Sequence, residues 1–300
     1  MTTKTDGNKA YAYYPGCSQS GTAVEYEMSA RAVCEALGIE LREIDDWSCC
    51  GASPAHERGA DLQAALAARN LELARGMGLN RLATPCPSCL SALKTAEAYA
   101  GKSEGRELLG RLCDMEIGDG LPAYSLLQVI LEEAGADAVR RAAVRPLAGL
   151  TAATYYGCLL SRPSGLMEFE EPENPVSMDR LLRAAGADVI DFALKVECCG
   201  AGMGVPKREV VRRLSGRILD MAVRQGADVL VTACPLCHQN LDLRQAQLTR
   251  AGNSQPLPVV YFTQMLGLAM GLSPESLGLN LHAVDTGGLL NRIAAPQNES

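Results

Sequence analysis

Cys17…Cys49-Cys50-Gly51…Cys86-Pro87-Ser88-Cys89 is followed, in the same order, by Cys158…Cys198-Cys199-Gly200…Cys234-Pro235-Leu236-Cys237. Each copy holds a lone cysteine, a tandem pair followed by glycine, and a Cys-x-x-Cys. Between the pair and the Cys-x-x-Cys lie 35 residues in the first copy and 34 in the second. The lone cysteine precedes the pair by 31 intervening residues in one copy and 39 in the other. Ten of the twelve cysteines fall into this scheme, so the chain reads as an internal duplication.

The residues around the cysteines give each half the same order of elements. In the first, Tyr11–Pro15 is a short β-type run ending at Gly16-Cys17, and Thr22–Leu37 carries apolar residues at helical spacing until Gly38 stops it. Ile39–Ile44 alternates as a strand, Arg58–Arg75 is a helix rich in alanine and leucine, and Leu79–Thr84 is a strand. A helix starts near Ser88, two helical segments cover about 103–115 and 122–134, and residues 140–150 read as a linker. In the second half, strands are predicted at 151–156, 188–194, 228–233 and 258–262. Helices are predicted at 176–185, 207–224, 234–249 and 263–271, with a polar loop over 162–175. Strands alternating with helices predict α/β halves with open, mostly parallel sheets. Every motif cysteine lies just past the carboxyl end of a predicted strand, where such sheets place their ligands.

Composition narrows the class. The net charge of −7 argues against a nucleic-acid-binding face and an anionic-membrane anchor. Met1–Lys9 has no apolar core of the kind a secretory signal needs, and the apolar run Val259–Leu272 is shorter than the ~20 residues of a membrane span. The expectation is a soluble, cytoplasmic protein with no membrane span and no nucleic-acid partner. In a reducing compartment such cysteines bind metal or do chemistry rather than form disulfides.

A Cys-x-x-Cys at a helix start aims two thiols one way, and the helix dipole favours the thiolate that binds metal. Four cysteines would suit tetrahedral zinc or a cubane cluster. Five, two of them adjacent, suit neither: neighbouring sulfurs do not easily span the wide angle of one tetrahedral ion, but can contact different irons of one cluster. The residues therefore predict an iron–sulfur cluster of unusual geometry in each half, with zinc in one half as the alternative. The glycine after each pair predicts a sharp turn and close approach of metal and sulfide.

The repeated Cys…Cys-Cys-Gly…Cys-Pro-x-Cys resembles the cysteine-rich CCG domain, and the chain from Tyr11 to about Leu272 is similar to the B subunit of heterodisulfide reductase. The likeness is strongest in Tyr14-Pro-Gly-Cys17, Tyr155–Pro163, Glu197–Gly202, Cys234-Pro-Leu-Cys-His238 and Tyr261–Gly267. The resemblance implies two pseudo-twofold-related, Rossmann-like CCG domains, residues 1–146 and 147–300. It implies two noncubane [4Fe–4S] clusters facing a substrate disulfide between them, one held by Cys17, Cys49, Cys50, Cys86 and Cys89 and the other by Cys158, Cys198, Cys199, Cys234 and Cys237. It further implies a ferredoxin-like iron–sulfur subunit and a flavin-bearing subunit as partners, since the chain shows no flavin or nicotinamide motif. Breaking a disulfide takes two electrons, and two clusters offer two electrons and an iron for each departing sulfur. The expected activity is that of a thiol–disulfide oxidoreductase, acting on a heterodisulfide of coenzymes M and B or on carrier-bound sulfur.

Three rivals stand beside this reading. One is the iron–sulfur electron-transfer subunit of a lactate, glycolate or glycerol-3-phosphate oxidising complex, against which the Tyr155–Pro163 stretch speaks. The others are a zinc-stabilised scaffold and a metal-free dithiol exchanger. His238 and His56 are candidate catalytic proton donors to a leaving thiolate, with capping or a supporting hydrogen bond as the competing role. Cys34 and Cys113, on apolar helical stripes, are expected to be core thiols. Gly200-x-Gly202-x-Gly204 resembles an anion cradle but lacks the nucleotide-binding context. Lys195, Lys207, Arg208 and Arg162 could meet an anionic substrate or simply water, the acidic stretch Glu168–Glu173 has no assigned role, and Tyr261–Leu272 is expected to pack in the core.

Overall fold

The computed structural model describes residues 9–52, 55, 58–250 and 256–294. The first half runs β1 (Ala10–Tyr13), α1 (Val24–Ala36), β2 (Glu40–Glu43), α2 (Ala60–Gly76), β3 (Leu82–Thr84), α3 (Pro87–Ala100), α4 (Ser103–Cys113), β4 (Ala123–Ser125), α5 (Leu126–Glu133) and α6 (Gly135–Ala142). The second runs β5 (Thr151–Tyr155), α7 (Ser164–Met167), α8 (Ser177–Ala184), β6 (Asp188–Val189), α9 (Arg208–Arg224), β7 (Val229–Thr232), α10 (Pro235–Asp242), α11 (Gln245–Arg250), β8 (Val259–Tyr261), α12 (Phe262–Ala269) and α13 (Gly287–Ala294).

Each half builds a four-stranded parallel sheet, in the orders β2-β1-β3-β4 and β6-β5-β7-β8. The register pairs Ala10 with Glu40 and Ala12 with Leu82, and in the second half Thr151 with Asp188 and Ala152 with Val229. The inner strands β1, β3, β5 and β7 are apolar and almost wholly buried because helices cover both faces. The edge strand β2, Glu-Leu-Arg-Glu, is mostly exposed, and its charges discourage pairing with another chain. The two-sheet α/β architecture is as the sequence predicts.

Four expectations shift. Residues 122–134 are not one helix: Ala123–Ser125 pairs with β3, and the Ser125 hydroxyl, accepting from Gln128 N at 3.1 Å, starts α5. The strand expected over 188–194 pairs only at Asp188 and Val189. The helix after Cys234 breaks at Leu243 into α10 and α11. The linker region takes in the end of α6, and α13 has no counterpart in the expected elements. The tail after Ala294 lies outside the described residues.

One core cluster joins the halves. It gathers Tyr26, Ala30 and Val33 of α1 with Phe262, Met265 and Leu266 of α12, and reaches both sheets through Ala83 and Val231. Tyr26 stacks on Tyr261 with ring centroids 4.0 Å apart, and the Ser29 and Thr263 hydroxyls meet at 2.7 Å. This seam makes the two sheets neighbours, and α12 is entirely buried as expected. Among the described residues, no helix is long and apolar enough to cross a membrane.

Candidate metal centre

The cysteines of each half converge where the chain leaves the strands. Cys17 follows β1, Cys49 and Cys50 follow β2, and Cys86 follows β3 and caps α3, whose first residue is Pro87. In the second half Cys158 follows β5, Cys198 and Cys199 follow β6, and Cys234 caps α10 ahead of Pro235. The burial repeats too. Cys50, Cys86 and Cys89 are buried while Cys17 and Cys49 are exposed; Cys199, Cys234 and Cys237 are buried while Cys158 and Cys198 are half-buried. Three deep sulfurs and two at the rim make one pocket, twice.

The sulfurs touch in matching pairs, Cys50 to Cys89 at 3.3 Å and Cys199 to Cys237 at 3.5 Å. In such a pair one sulfur is a thiolate held by the other's proton. The hydrogen bond from Cys89 lowers the Cys50 pKa, and that from Cys158 lowers Cys198. The Cys237 hydrogen bond, then the Asn240 amide at 3.5 Å, bring Cys199 down to about 7. The partners Cys89 and Cys237 are raised, first by those same contacts. The backbone N–H of Gly51 donates to the Cys49 sulfur and that of Gly200 to the Cys198 sulfur, at 3.5 and 3.3 Å.

The local chain holds these turns with residues that are not cysteines. Tyr14 donates to Ser48 O at 2.8 Å, and Tyr155 to Glu197 O at 2.6 Å, so each phenol pins the residue just before its tandem pair. Asn70 grips Ser48 from both sides, donating to its carbonyl and accepting from its N–H, each at 2.9 Å. Sequence reasoning assigned no role to either tyrosine or to Asn70. The repeated Tyr-x-Gly-Cys of Tyr14 and Tyr155 was the available signal; Asn70, in mid-helix, offered none.

The glycines divide their work differently from expectation. A Cβ on Gly51 would meet Ala55 Cβ at 2.8 Å and Leu66 Cδ1 at 2.9 Å; one on Gly200 would meet Val211 at 2.8 Å. These glycines make the sharp turn, with φ of +73° and +98°, and a side chain on either would meet neighbouring chain. Close approach to sulfur belongs to Gly16 and Gly157, where a Cβ would stand 3.0 Å from Cys89 Sγ and from Cys237 Sγ. Ala201–Gly204 forms a 3-10 turn leading toward α9.

The pockets are adjacent. Pro87 and Ser88, from the first Cys-x-x-Cys, line the cavity walled by Cys158, Cys199, Cys234 and Cys237. Tyr26 lies within electrostatic reach of both Cys234 and Cys86, and its hydroxyl donates to Ala233 O at 3.3 Å. The pockets thus do not lie on opposite faces. Five thiols per half, three of them sequestered, glycine against sulfur and N–H donors to the rim are a donor set that fits a multi-iron sulfide cluster better than one tetrahedral ion.

The other candidates separate. His238 is buried, bonded through Nε2 to Val259 O and His282 Nδ1 at 2.9 Å each, and stacked on Tyr261. Burial, with His282 second, lowers its pKa to about 3, so the ring is held as the neutral imidazole. His56 lies outside the described residues. Lys195 is sealed in an ion pair with Asp179 at 3.1 Å, out of reach of a substrate. Arg162 pairs with Glu173, while Lys207 and Arg208 are exposed. The acidic stretch works on the backbone: Glu170 accepts from Val176 N, Ser177 N and the Ser177 hydroxyl, closing the start of α8. Cys34 is a core thiol as expected, pushed up to about 12 by burial, whereas Cys113 is only half-buried and donates to Ala65 O at 3.1 Å.

Comparison with known proteins agrees with this geometry. The family model described as a cysteine-rich domain, CCG, matches residues 11–94 and 152–242. The chain is 35% identical to the 8-methylmenaquinol:fumarate reductase membrane anchor subunit of Wolinella succinogenes, over 92% of this chain and 98% of that one. It is 32% identical to the B subunit of the ferredoxin:CoB-CoM heterodisulfide reductase of Methanosarcina mazei, over 93% and 95% respectively. A crystal structure of a hypothetical protein from Helicobacter pylori shares the fold, with a TM-score of 0.71 and 13% identity; the match covers 92% of this chain and 52% of that one. The chain belongs to the cysteine-rich CCG domain family, the family of the heterodisulfide reductase B subunits.

Proposed function

We propose that this chain is the iron–sulfur subunit of a heterodisulfide-reductase-like complex, in which a sulfur–sulfur bond is split or formed between two [4Fe–4S] clusters of noncubane type. Its two repeats would divide near residue 147. Cys17, Cys49, Cys50, Cys86 and Cys89 would hold one cluster, and Cys158, Cys198, Cys199, Cys234 and Cys237 the other. Bound there, the clusters supply electrons and Lewis-acidic iron. The protein's share is placement. Tyr14 and Tyr155 set the tandem cysteines, Gly16 and Gly157 let the backbone lie against sulfur, and the deep thiols are shielded from water while the rim thiols face it. The observation that carries the reading is the adjacency of the pockets, with Pro87 and Ser88 of one forming a wall of the other. A ferredoxin-like subunit and a flavin-bearing subunit would deliver or remove electrons.

The likeness to the menaquinol:fumarate reductase subunit favours a second reading, in which the same pockets relay electrons between a quinol and a partner subunit. Anaerobic iron and acid-labile sulfide analysis with electron paramagnetic resonance tests the shared part: about eight irons per chain are expected. A resonance that changes on adding thiol supports disulfide chemistry. A resonance indifferent to thiol but bleached by a menaquinol analogue supports the relay. Zinc without sulfide refutes both.

A further inference from the structure

One residue beyond Cys237, a second group of metal-ligating side chains is buried without a motif to announce it. His238 and Asp242 stand four residues apart on α10 and so share a face. His282 reaches them from the loop after the 3-10 turn Leu279–Leu281, and ligand atoms of the three lie within 4.8 Å of one another. From the other half, α1 brings a Glu25 carboxylate oxygen to 3.7 Å from His238 Nδ1. Glu25, His238 and Asp242 are 7%, 4% and 2% exposed.

The charges in this pocket do not balance. Asp242 accepts from the N–H groups of Ala283 and Val284 at 2.6 and 3.0 Å, and no lysine or arginine pairs with it or with Glu25 among the described residues. The Tyr261 hydroxyl is fully buried and faces Glu25 and Asp242. Two buried acids with no cation among them are costly. A divalent ion would neutralise them.

We propose that His238, Asp242 and His282, with water as the fourth ligand, bind a zinc ion at a site separate from the ten motif cysteines. Two nitrogens and two oxygens are a donor set that tetrahedral zinc accepts. His238 Nε2, 2.9 Å from His282 Nδ1, would hold the ion, which leaves Nδ1–H facing the Glu25 carboxylate at 3.7 Å, the kind of outer partner that a metal-bound imidazole normally keeps. In a tetrahedral zinc site neighbouring donors stand about 3.3 Å apart, so the group must tighten, and the partly exposed loop of His282 can move to do so. A groove of about 870 Å³ lined in part by Asp242, Ala283 and Val284 gives the ion a way in. The ion would tie the helix behind the second Cys-x-x-Cys to the carboxyl-terminal loop, with Glu25 of α1 supporting His238.

The test uses the full chain with its iron–sulfur centres reconstituted, supplied with zinc and then dialysed. Zinc, iron and sulfide are counted in the same sample, and the zinc environment is read by X-ray absorption at the zinc edge. One zinc per chain is expected, with a nitrogen and oxygen shell at about 2.0–2.1 Å. Affinity should fall at least ~10-fold in His282→Gln and in Asp242→Asn, with iron and sulfide unchanged. No retained zinc in the native chain, a sulfur shell near about 2.3 Å, or equal zinc affinity in His282→Gln would overturn the proposal. Because iron and sulfide are read separately, failure here is distinct from failure of the cluster reading.

Discussion

Substituting alanine for Gly157 separates two roles of one glycine. Its φ of +71° costs an L side chain about 1–2 kcal/mol wherever it occurs. Its Cβ would also stand 3.0 Å from Cys237 Sγ, a sulfur with little room to retreat because Cys237 is only 6% exposed and touches Cys199. Gly226 supplies the control: its φ is +79°, it lies in the same half, and nothing comes within 4 Å of its Cβ. Gly226→Ala should therefore lose only the strain, about 1–2 kcal/mol, lowering Tm by about 2–4 °C with full iron content. Gly157→Ala should lose at least as much and, in addition, load poorly in the second half, so that iron and sulfide fall toward half of the native value. Urea unfolding of the reconstituted proteins and parallel iron and sulfide counts give both readouts. If Gly157→Ala kept its full iron and lost no more stability than Gly226→Ala, the glycine would serve only the turn, and the argument that backbone must lie against sulfur would fail.

Tyr155→Phe removes the phenol that pins Glu197 O at 2.6 Å; the expected cost is about 1–3 kcal/mol, with slower iron incorporation, checked by urea unfolding and a reconstitution time course. Lys195→Met leaves Asp179 at 2% exposure beside Thr154 and Tyr156 with no cation, and should cost about 3–5 kcal/mol in thermal unfolding while a second change, Asp179→Asn, recovers part of it. Glu170→Ala should cost about 0.5–2 kcal/mol by uncapping α8 and leave the iron count untouched; a drop in iron would show that the acidic stretch serves the metal centre after all. Removing the iron with a chelator should lower the thermal midpoint, since the unfolded chain presents no formed pocket, and an unchanged midpoint would speak against a structural contribution from the clusters.

The sequence carried the duplication, the α/β class and the seating of every motif cysteine past a strand, because each rests on a local signal: periodicity of 2 or 3.6, a stop at glycine, proline at a helix start. Where reading failed, the deciding contact was distant. Ala123–Ser125 is a strand only because β3 lies beside it; alone, its apolar run continues smoothly into α5. Lys195 looked like an anion binder from its neighbours in sequence, yet Asp179, on α8, neutralises it in space. Gly51 stands next to two cysteines, and it is α2, distant in sequence, that fills the space where its side chain would go. The surroundings of His238 are likewise set from a distance. Its ring is claimed by Val259 and His282, which lie 21 and 44 residues further along the chain.

The duplication also explains why the two pockets can face each other while remaining unequal. A repeat supplies two copies of a five-sulfur nest, but a shared space between them requires residues that belong to neither. Here α1 is that element: Tyr26 stacks on Tyr261 and reaches Ala233, and Ser29 meets Thr263, while Glu25 approaches His238. Each of these contacts ends close to the second pocket's supporting helix or strand, and α12 returns the packing against α1. Helix α8, at the corresponding place in the second half, packs in turn on α5 and α6 of the first half and carries Asp179 of the Lys195–Asp179 pair. The seam is thus built from α1 against α12 and from α8 against α5 and α6. It leaves Cys17 and Cys49 more exposed than Cys158 and Cys198. Rim thiols open to solvent exchange ligands more readily than shielded ones, so in partial reconstitution the second half should fill and hold iron ahead of the first. Cys17→Ala and Cys158→Ala distinguish the halves: the early iron should survive the first substitution and be lost in the second, and the reverse order would mean that burial at the rim does not govern loading.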